Sequence, residues 1–334
     1  MNPSHPPPPY LRTKTQRFSH NNLSFSPYLE HRFALASGSN FGLVGNGRVH
    51  IIDIDPGSQG GLRLVRYFET RDCVFDVAWN EQHENHIVAG CGNGAIKMFD
   101  VTLEGLPIQS WHEHSAEIMS IEWNNLSKDQ FITSSWDSTI KIWSSNRATS
   151  LLSIQAHKGH LYNATFSPHT PNIIMSCGAD GFLKIWDLRS NLSSSSNLSP
   201  TLSIPNSGTV RGQPPDEVLY CDWNKYDPSL IASASKDGTI KVFDLRTGSG
   251  AGRIVGKHDL AARKVAWDPH SRERMASTGY DMTCRVWNIN NPSPSPTYVH
   301  SDHTEFVMGL GWSLFDPGLL ASAAWDEEVH LYRV

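Results

Sequence analysis

The sequence predicts an all-β fold, a seven-bladed β-propeller closed by an N-terminal strand. Three observations carry that reading: one frame of aromatic and acidic residues recurs six times, turn chemistry punctuates each copy, and the last copy stops one strand short. In the clearest copy His114 precedes Trp123 by nine residues, and Trp136-Asp137 is followed by Trp143, six residues past the Asp. His157, Phe166, Asp180 and Trp186 repeat those spacings, as do His258, Trp267, Asp281 and Trp287, and also His303, Trp312, Asp326 and Tyr332. Two further copies, Trp79/Asn93/Phe99 and Trp223/Asp237/Phe243, keep the frame without the His. In all six the first aromatic stands 14 residues before the Asp or Asn and the second stands 6 after it. A fixed period in this range marks a fold stacked from repeated units.

Each unit reads as short strands. Ile118–Trp123, Phe131–Ser135 and Thr139–Trp143 are β-branched or aromatic runs with polar breaks. The break before the third run is Asn93-Gly94, Asp137-Ser138, Asp180-Gly181 or Asp237-Gly238, residues that tolerate the positive φ of a hairpin turn. A looser fourth strand follows, at Leu62–Phe68, Leu106–Trp111, Ser150–Gln155, Thr201–Pro205, Arg253–Gly256 and Thr297–His300. Four antiparallel strands every ~43 residues with an aromatic-Asp ending is the period of the WD repeat. In WD-repeat proteins, which these copies resemble, a His, a hydroxyl, the Asp and the Trp of one unit form a buried hydrogen-bonded chain. Here the sets are His114, Thr133, Asp137 and Trp143; His157, Ser176, Asp180 and Trp186; His258, Ser277 and Asp281; and His303, Ser322 and Asp326. Buried polar groups need partners, and a satisfied network fixes one packing arrangement. A Ser-His-Asp catalytic reading fails, because the set recurs in several units and no enzyme needs four nucleophiles.

A degenerate first unit brings the count to seven. Phe25-Ser26-Pro27 matches Phe166-Ser167-Pro168, with Arg32–Gly38 and Gly47–Asp53 as its next strands and a seven-residue insertion around Asn40–Asn46. The chain ends at Val334, just after the third strand of the last unit. The polar, alternating segment Tyr10–Phe18 is the available fourth strand, and pairing it there closes the ring and removes an open edge. The expected organisation is a disordered Pro-rich tail at residues 1–9 and a single propeller over 10–334. A low-complexity Ser-rich insertion near 190–200 explains why Asp180 and Asp237 are 57 residues apart.

Composition narrows the function. The formal net charge of −5 argues against a nucleic-acid partner, which leaves a basic footprint. Five scattered cysteines without a C-x-x-C pair suit a reduced, intracellular protein. The absence of an apolar run near 18 residues predicts no membrane insertion. No metal or cofactor is expected: His112 and His114 form an H-x-H pair, but His114 is claimed by the repeat network, and no glycine-rich phosphate loop precedes a helix. A propeller supplies no chemistry of its own, so function lies on its faces. The loops leading into the first strands and the corners before the turn Asp form the top face. They carry Glu69, Asp72, Glu117, His160, Tyr162, Asp216, Glu217, Arg263 and Glu305, with Trp136, Tyr280 and Trp325 at the corners. Acid beside aromatic suits a basic, amphipathic helix laid in a groove.

At this point the resemblance becomes specific. The chain resembles the receptors for the type 2 peroxisomal targeting signal, the seventh-peroxin family, from residue 11 to the end. The matching pieces are Leu11-Arg12-Thr13, Phe25-Ser26-Pro27-Tyr28, Phe41-Gly42, Phe75-Asp76-Val77, Glu113-His114, Ser134-Ser135-Trp136-Asp137, Cys221-Asp222-Trp223 with Lys225-Tyr226, and His303-Thr304-Glu305-Phe306. The resemblance implies a non-enzymatic, cytoplasmic receptor that shuttles to the peroxisome. Its cargo proteins, a peroxisomal thiolase for example, would carry an N-terminal Arg-Leu-x5-His/Gln-Leu nonapeptide. It also implies a co-receptor peroxin and delivery to a peroxisomal docking complex. Glu117, Glu69 and Asp72 are the expected partners of the cargo Arg, with Asp216, Glu217 and Glu305 as reserves. Trp136, Tyr280 and Trp325 are expected to flank the leucines. A rival reading is a substrate receptor of a cullin-type ubiquitin ligase, since Trp186-Asp187-Leu188-Arg189 and Phe243-Asp244-Leu245-Arg246 look like WDxR boxes.

Overall fold

The computed structural model describes residues 11–42, 45–191, 198–206, 215–247 and 252–334. The expected tail at 1–9 lies outside them, as do the centre of the Ser-rich insertion and residues 43–44 of the first-unit insertion. Among the described residues the strands form seven antiparallel sheets of four. The inner strands of blades 1 to 7 are Ser19–Phe25, Val74–Trp79, Ile118–Trp123, Leu161–Phe166, Val218–Trp223, Ala262–Trp267 and Val307–Trp312. The outer strands of blades 1 to 6 are Leu62–Thr70, Gln109–His112, Leu152–Gln155, Leu202–Pro205, Arg253–Lys257 and Tyr298–His300.

Blade 7 takes its fourth strand from the other end of the chain. Leu11–Lys14 pairs antiparallel with Glu328–Arg333, placing Leu11 opposite Leu331 and Lys14 opposite Glu328. The strand is shorter than the expected Tyr10–Phe18. Tyr10 lies outside the described residues, and from Thr15 the chain turns: Phe18 N–H donates to the Thr15 carbonyl at 3.2 Å, and Arg17 has φ 71°. That turn moves the chain from the outside of blade 7 to the inside of blade 1. The two blades then pack through Leu23, Phe25, Phe33, Ala321, Val329 and Leu331. The seam is close-packed at Gly311, where a Cβ would lie 2.5 Å from Leu23 Cδ1 and force that side chain to shift.

The same sandwiching recurs around the ring. Met98, Trp111, Ile121, Trp123, Phe131 and Trp143 join blade 2 to blade 3, and each fully buried side chain of this size contributes about 2–3 kcal/mol. Polar clamps add direction. A side chain on one inner strand accepts the backbone N–H of the next: Asp76 takes Ile121 N at 2.9 Å, Ser120 takes Ala164 N at 3.1 Å, and Asp222 takes Trp267 N at 2.8 Å.

Within four blades a polar chain runs from core to rim. In blade 3, Trp143 Nε1 donates to Thr133 Oγ1 at 2.8 Å, that oxygen lies 2.8 Å from His114 Nε2, and His114 Nδ1 lies 2.8 Å from Asp137. His157–Asp180, His258–Asp281 and His303–Asp326 stand at 2.7, 3.0 and 2.9 Å, with Ser176, Ser277 and Ser322 in the hydroxyl position. In blade 7 Tyr332 replaces the Trp, its hydroxyl 3.2 Å from Ser322. In blade 5 Asn206 stands in for the missing His and bonds both Ser233 and Ser235, at 2.8 and 2.7 Å. Burial acts to raise the carboxyl of Asp326, but hydrogen bonds from His303 and the backbone prevail and hold it down at about 2.

Two predictions follow from ring closure. Removing residues 1–18 bares the edge of Glu328–Arg333. The expected cost is about 3 kcal/mol, or roughly 6–12 °C in the thermal midpoint, together with aggregation; an unchanged melting curve would show that the ring does not need the strand. The second concerns His20, at the closing seam beside Glu327, and His300, which lies against His330 of the closing blade. Burial lowers both from about 6.5 to about 4. They are therefore neutral when folded, and their contribution is complete above pH 6.5. It is lost as pH falls from 6.5 to 4, at about 1.4 kcal/mol per pH unit for each proton taken up. The Glu122 carboxyl, raised by burial to about 7, adds stability over the same interval. Urea unfolding at stepped pH should therefore show a steeper decline below pH 6.5 in the wild type than in a His20→Asn/His300→Asn variant; equal slopes would remove the two histidines from the account.

Candidate functional site

The top of the ring is shaped by one irregularity repeated seven times. Each inner strand carries a β-bulge against its neighbour, at the residue between His20 and Asn22, Val74 and Asp76, Ile118 and Ser120, Leu161 and Asn163, Val218 and Tyr220, Ala262 and Lys264, and Val307 and Gly309. A bulge re-aims the side chain of its extra residue. All seven extra residues, Asn21, Phe75, Met119, Tyr162, Leu219, Arg263 and Met308, line a single hollow of about 280 Å³ at the upper mouth of the central channel. Phe41, Gly42, Glu117, Trp136, Tyr280 and Trp325 complete its wall.

The rim residues are placed by a second repeated device. In blades 2 to 7 the corner residue after the second strand donates its N–H to the carbonyl of the residue just before the inner strand. Trp136 bonds to Glu117 at 3.0 Å, Lys236 to Glu217 at 3.0 Å, Tyr280 to Ala261 at 2.9 Å, and Trp325 to Phe306 at 3.0 Å. This register separates two glutamates that the sequence treats as equivalent. Beside Glu217 the corner is Lys236, whose ammonium lies 2.6 Å from the carboxylate, and the Tyr162 hydroxyl donates to the same carboxylate at 2.6 Å. These bonds outweigh burial and lower the Glu217 carboxyl. Beside Glu117 the corner is Trp136. Among the described residues no side chain pairs with the half-buried Glu117 carboxylate, and the Trp136 indole N–H has no acceptor. An unpaired carboxylate beside an unpaired buried donor is costly in an empty protein and useful to a ligand that satisfies both.

The remaining predicted carboxylates do not line the hollow. Glu69 is a correction. The outer strand of blade 1 continues to Thr70, so Glu69 lies on the circumference, its carboxylate 2.6 Å from Arg48, and not on the loop into blade 2. Asp72, Asp216 and Glu305 each lie one residue further from the inner strand than the position that Glu117 occupies in its own blade. Asp72 and Glu305 are half-buried and Asp216 is exposed.

Aromatic side chains form an arc on the opposite side. Phe41 meets Trp325 at 5.5 Å between ring centroids, Trp325 meets Phe306 at 5.4 Å, and Phe306 stacks on Tyr280 at 4.7 Å. Phe41 is 47% exposed and is held there by left-handed backbone at Asn40, Phe41 and Gly42, with φ 49°, 58° and 76°. Trp136 meets His160 at 4.9 Å between ring centroids, tilted by 46°, on the Glu117 side. Arg263, 8% exposed, sits in the wall of blade 6 with its guanidinium 3.5 Å from the Leu219 carbonyl. The hollow is thus negative on the side of blade 3, positive on the side of blade 6, and apolar between.

Sequence reasoning named Tyr162 and Arg263 but passed over Asn21, Phe75, Met119, Leu219, Met308 and the stacking role of Phe306. A signal was present. Each of the seven bulge residues stands four positions before the first aromatic of its unit, from Asn21 before Phe25 to Met308 before Trp312.

Comparison with known proteins agrees with this architecture. Residues 105–144, 148–187, 206–244 and 253–288 match the WD domain, G-beta repeat. The chain is 34% identical to the peroxisomal targeting signal 2 receptor of Saccharomyces cerevisiae, an alignment covering 97% of this chain and 99% of the relative. It is 33% identical to the receptor of the same name from Mus musculus over 92% of each chain. It is 36% identical to peroxisome biogenesis protein 7 of Arabidopsis thaliana over 95% of each. The chain therefore belongs to the family of peroxisomal targeting signal 2 receptors.

Proposed function

We propose that the upper mouth binds the targeting nonapeptide Arg-Leu-x5-His/Gln-Leu of peroxisomal cargo, as a helix lying across the ring. The observation that carries this reading is the unpaired Glu117 carboxylate facing a continuous aromatic arc. On a helix the Arg and the His or Gln are seven residues apart, on one line about 10.5 Å long. The two leucines form a second line about 100° away. A helix whose first line follows Glu117, Trp136 and His160 turns its leucines toward Trp325, Phe306 and Tyr280. A charge-assisted bond from the cargo Arg to Glu117 supplies direction, and the aromatic rings supply buried area.

The hollow is open above, which leaves the outward side of such a helix for a co-receptor peroxin to cover, with exposed Phe41 at the junction. The receptor then works as a cytoplasmic carrier that hands cargo to the peroxisomal docking complex and catalyses nothing. Among the described residues no helix is long and apolar enough to cross a membrane. The ligase-receptor alternative gains no support, because Arg189 and Arg246 fold back on Asp187 and Asp244, at 2.6 Å each.

Glu117→Gln should weaken binding of a labelled nonapeptide, with co-receptor present, by roughly 10- to 100-fold. Glu217→Gln should weaken it less than about threefold, since its charge is already neutralised by Lys236. Equal losses from the two substitutions would remove Glu117 from the proposed role. Affinity should also fall as salt rises, because the pair is only half-buried; a salt-independent constant in isothermal titration would favour a purely apolar site.

A further inference from the structure

The lower mouth of the channel is separate from the upper one. Between them lies a polar layer in which Asn22 Nδ2 donates to Asp76 at 2.6 Å and Lys264 Nζ donates to Asn22 Oδ1 at 2.5 Å. Below that layer is a cavity of about 260 Å³ whose rim includes Pro27, Glu81, Asn125 and Leu314. The loops around it, which join each inner strand to the second strand, divide into two halves.

Blades 5, 6, 7 and 1 present an apolar arc. Tyr226 is 52% exposed and its hydroxyl donates to the Pro269 carbonyl at 2.8 Å, Leu314 and Phe315 are 45% and 46% exposed, and Tyr28 is 39% exposed. Four exposed large apolar side chains on the loops of one mouth are the kind of surface that marks an interaction site. The other half is acidic. Over the seven loops there are eight Asp and Glu against three Lys and Arg. Asp227, Asp268 and Asp316 are paired with Arg272, Arg274 and Arg333. Among the described residues Glu30, Glu84 and Asp129, in blades 1 to 3, and Glu273, in blade 6, have no ion pair, and Glu81 has only Lys128 at 3.8 Å; three of the four unpaired carboxylates thus lie in blades 1 to 3. The two halves meet at Tyr28, whose phenol is raised by burial and by the neighbouring charges of Glu81 and Glu84.

We propose that this lower face is a second docking surface, and that it takes a basic amphipathic segment of a partner protein. The apolar side of that segment rests on Tyr226, Leu314, Phe315 and Tyr28, and its Lys or Arg side chains reach Glu81, Glu84 and Asp129. The polar layer across the channel keeps this ligand apart from any ligand of the upper mouth, so both bind at once.

The test uses a fluorescent 18-residue amphipathic helix of Leu and Lys, and the same peptide with Glu in place of Lys, titrated into the full chain. The Lys peptide should bind at least tenfold more tightly than the Glu peptide and should protect residues 26–31, 80–85 and 313–318 from hydrogen exchange. Glu84→Lys with Asp129→Lys, and separately Leu314→Ser with Phe315→Ser, should each weaken it at least tenfold without moving the thermal midpoint. Trp325→Ala, in the upper mouth, should leave it unchanged. No preference for the Lys peptide overturns the proposal. So does binding that resists both lower-face variants, or binding that disappears with Trp325→Ala.

Discussion

The bond between a buried His and the turn Asp is the constraint on which the top of this ring depends. Each such pair ties the loop leading into an inner strand to the corner after the second strand. In blade 3 the 2.8 Å contact between His114 and Asp137 holds Glu117 beside Trp136. The three large aromatic corners, Trp136, Tyr280 and Trp325, each directly precede an Asp of such a pair. These three aromatics are therefore fixed by backbone one bond away from a closed, buried network. Such a network resists rearrangement because opening it strands polar groups without water. A preorganised rim loses little freedom when a ligand arrives.

The scaffold repeats while the positions it presents vary. A bulge at one place in every inner strand creates seven side-chain sites at the mouth, filled by one amide, two aromatics, three flexible apolar residues and one cation. The corner register creates a second set, where Trp, Lys, Tyr and Trp occupy equivalent places in four blades. Lys236 at that corner, together with the Tyr162 hydroxyl, occupies the Glu217 carboxylate, whereas Trp136 at the same corner leaves Glu117 available. Function in this fold is a pattern of differences over a frame that does not change.

Much of the fold was legible because the frame has physical causes. The 14- and 6-residue spacings follow from three strands and two turns of fixed length, and the missing last strand follows from where the third one ends. What was hidden depends on backbone detail. The N-terminal strand ends at Lys14 because Arg17 adopts positive φ, a choice its side chain does not announce. Glu69 reads as a loop residue, yet the nine-residue outer strand of blade 1 carries it to the circumference. Asn206 completes the blade 5 network, but it stands 17 residues before Trp223 where the histidines stand 9 before their aromatics, so the spacing that finds the histidines misses it. The bulges leave no mark within any one unit and appear only as a shared offset from the first aromatic.

The central claim, that the Glu117 carboxylate meets the cargo Arg directly, is tested most directly by a double-mutant cycle. The affinities of the wild-type ring and of Glu117→Gln would be measured against the nonapeptide and against a peptide with Gln in place of Arg, co-receptor present throughout. A direct pair predicts a coupling of about 1.5 kcal/mol or more, so the second change costs little once the first is made. A coupling within about 0.3 kcal/mol of zero, with both single changes weakening binding, would mean that the two groups act independently and that the cargo Arg sits elsewhere on the ring.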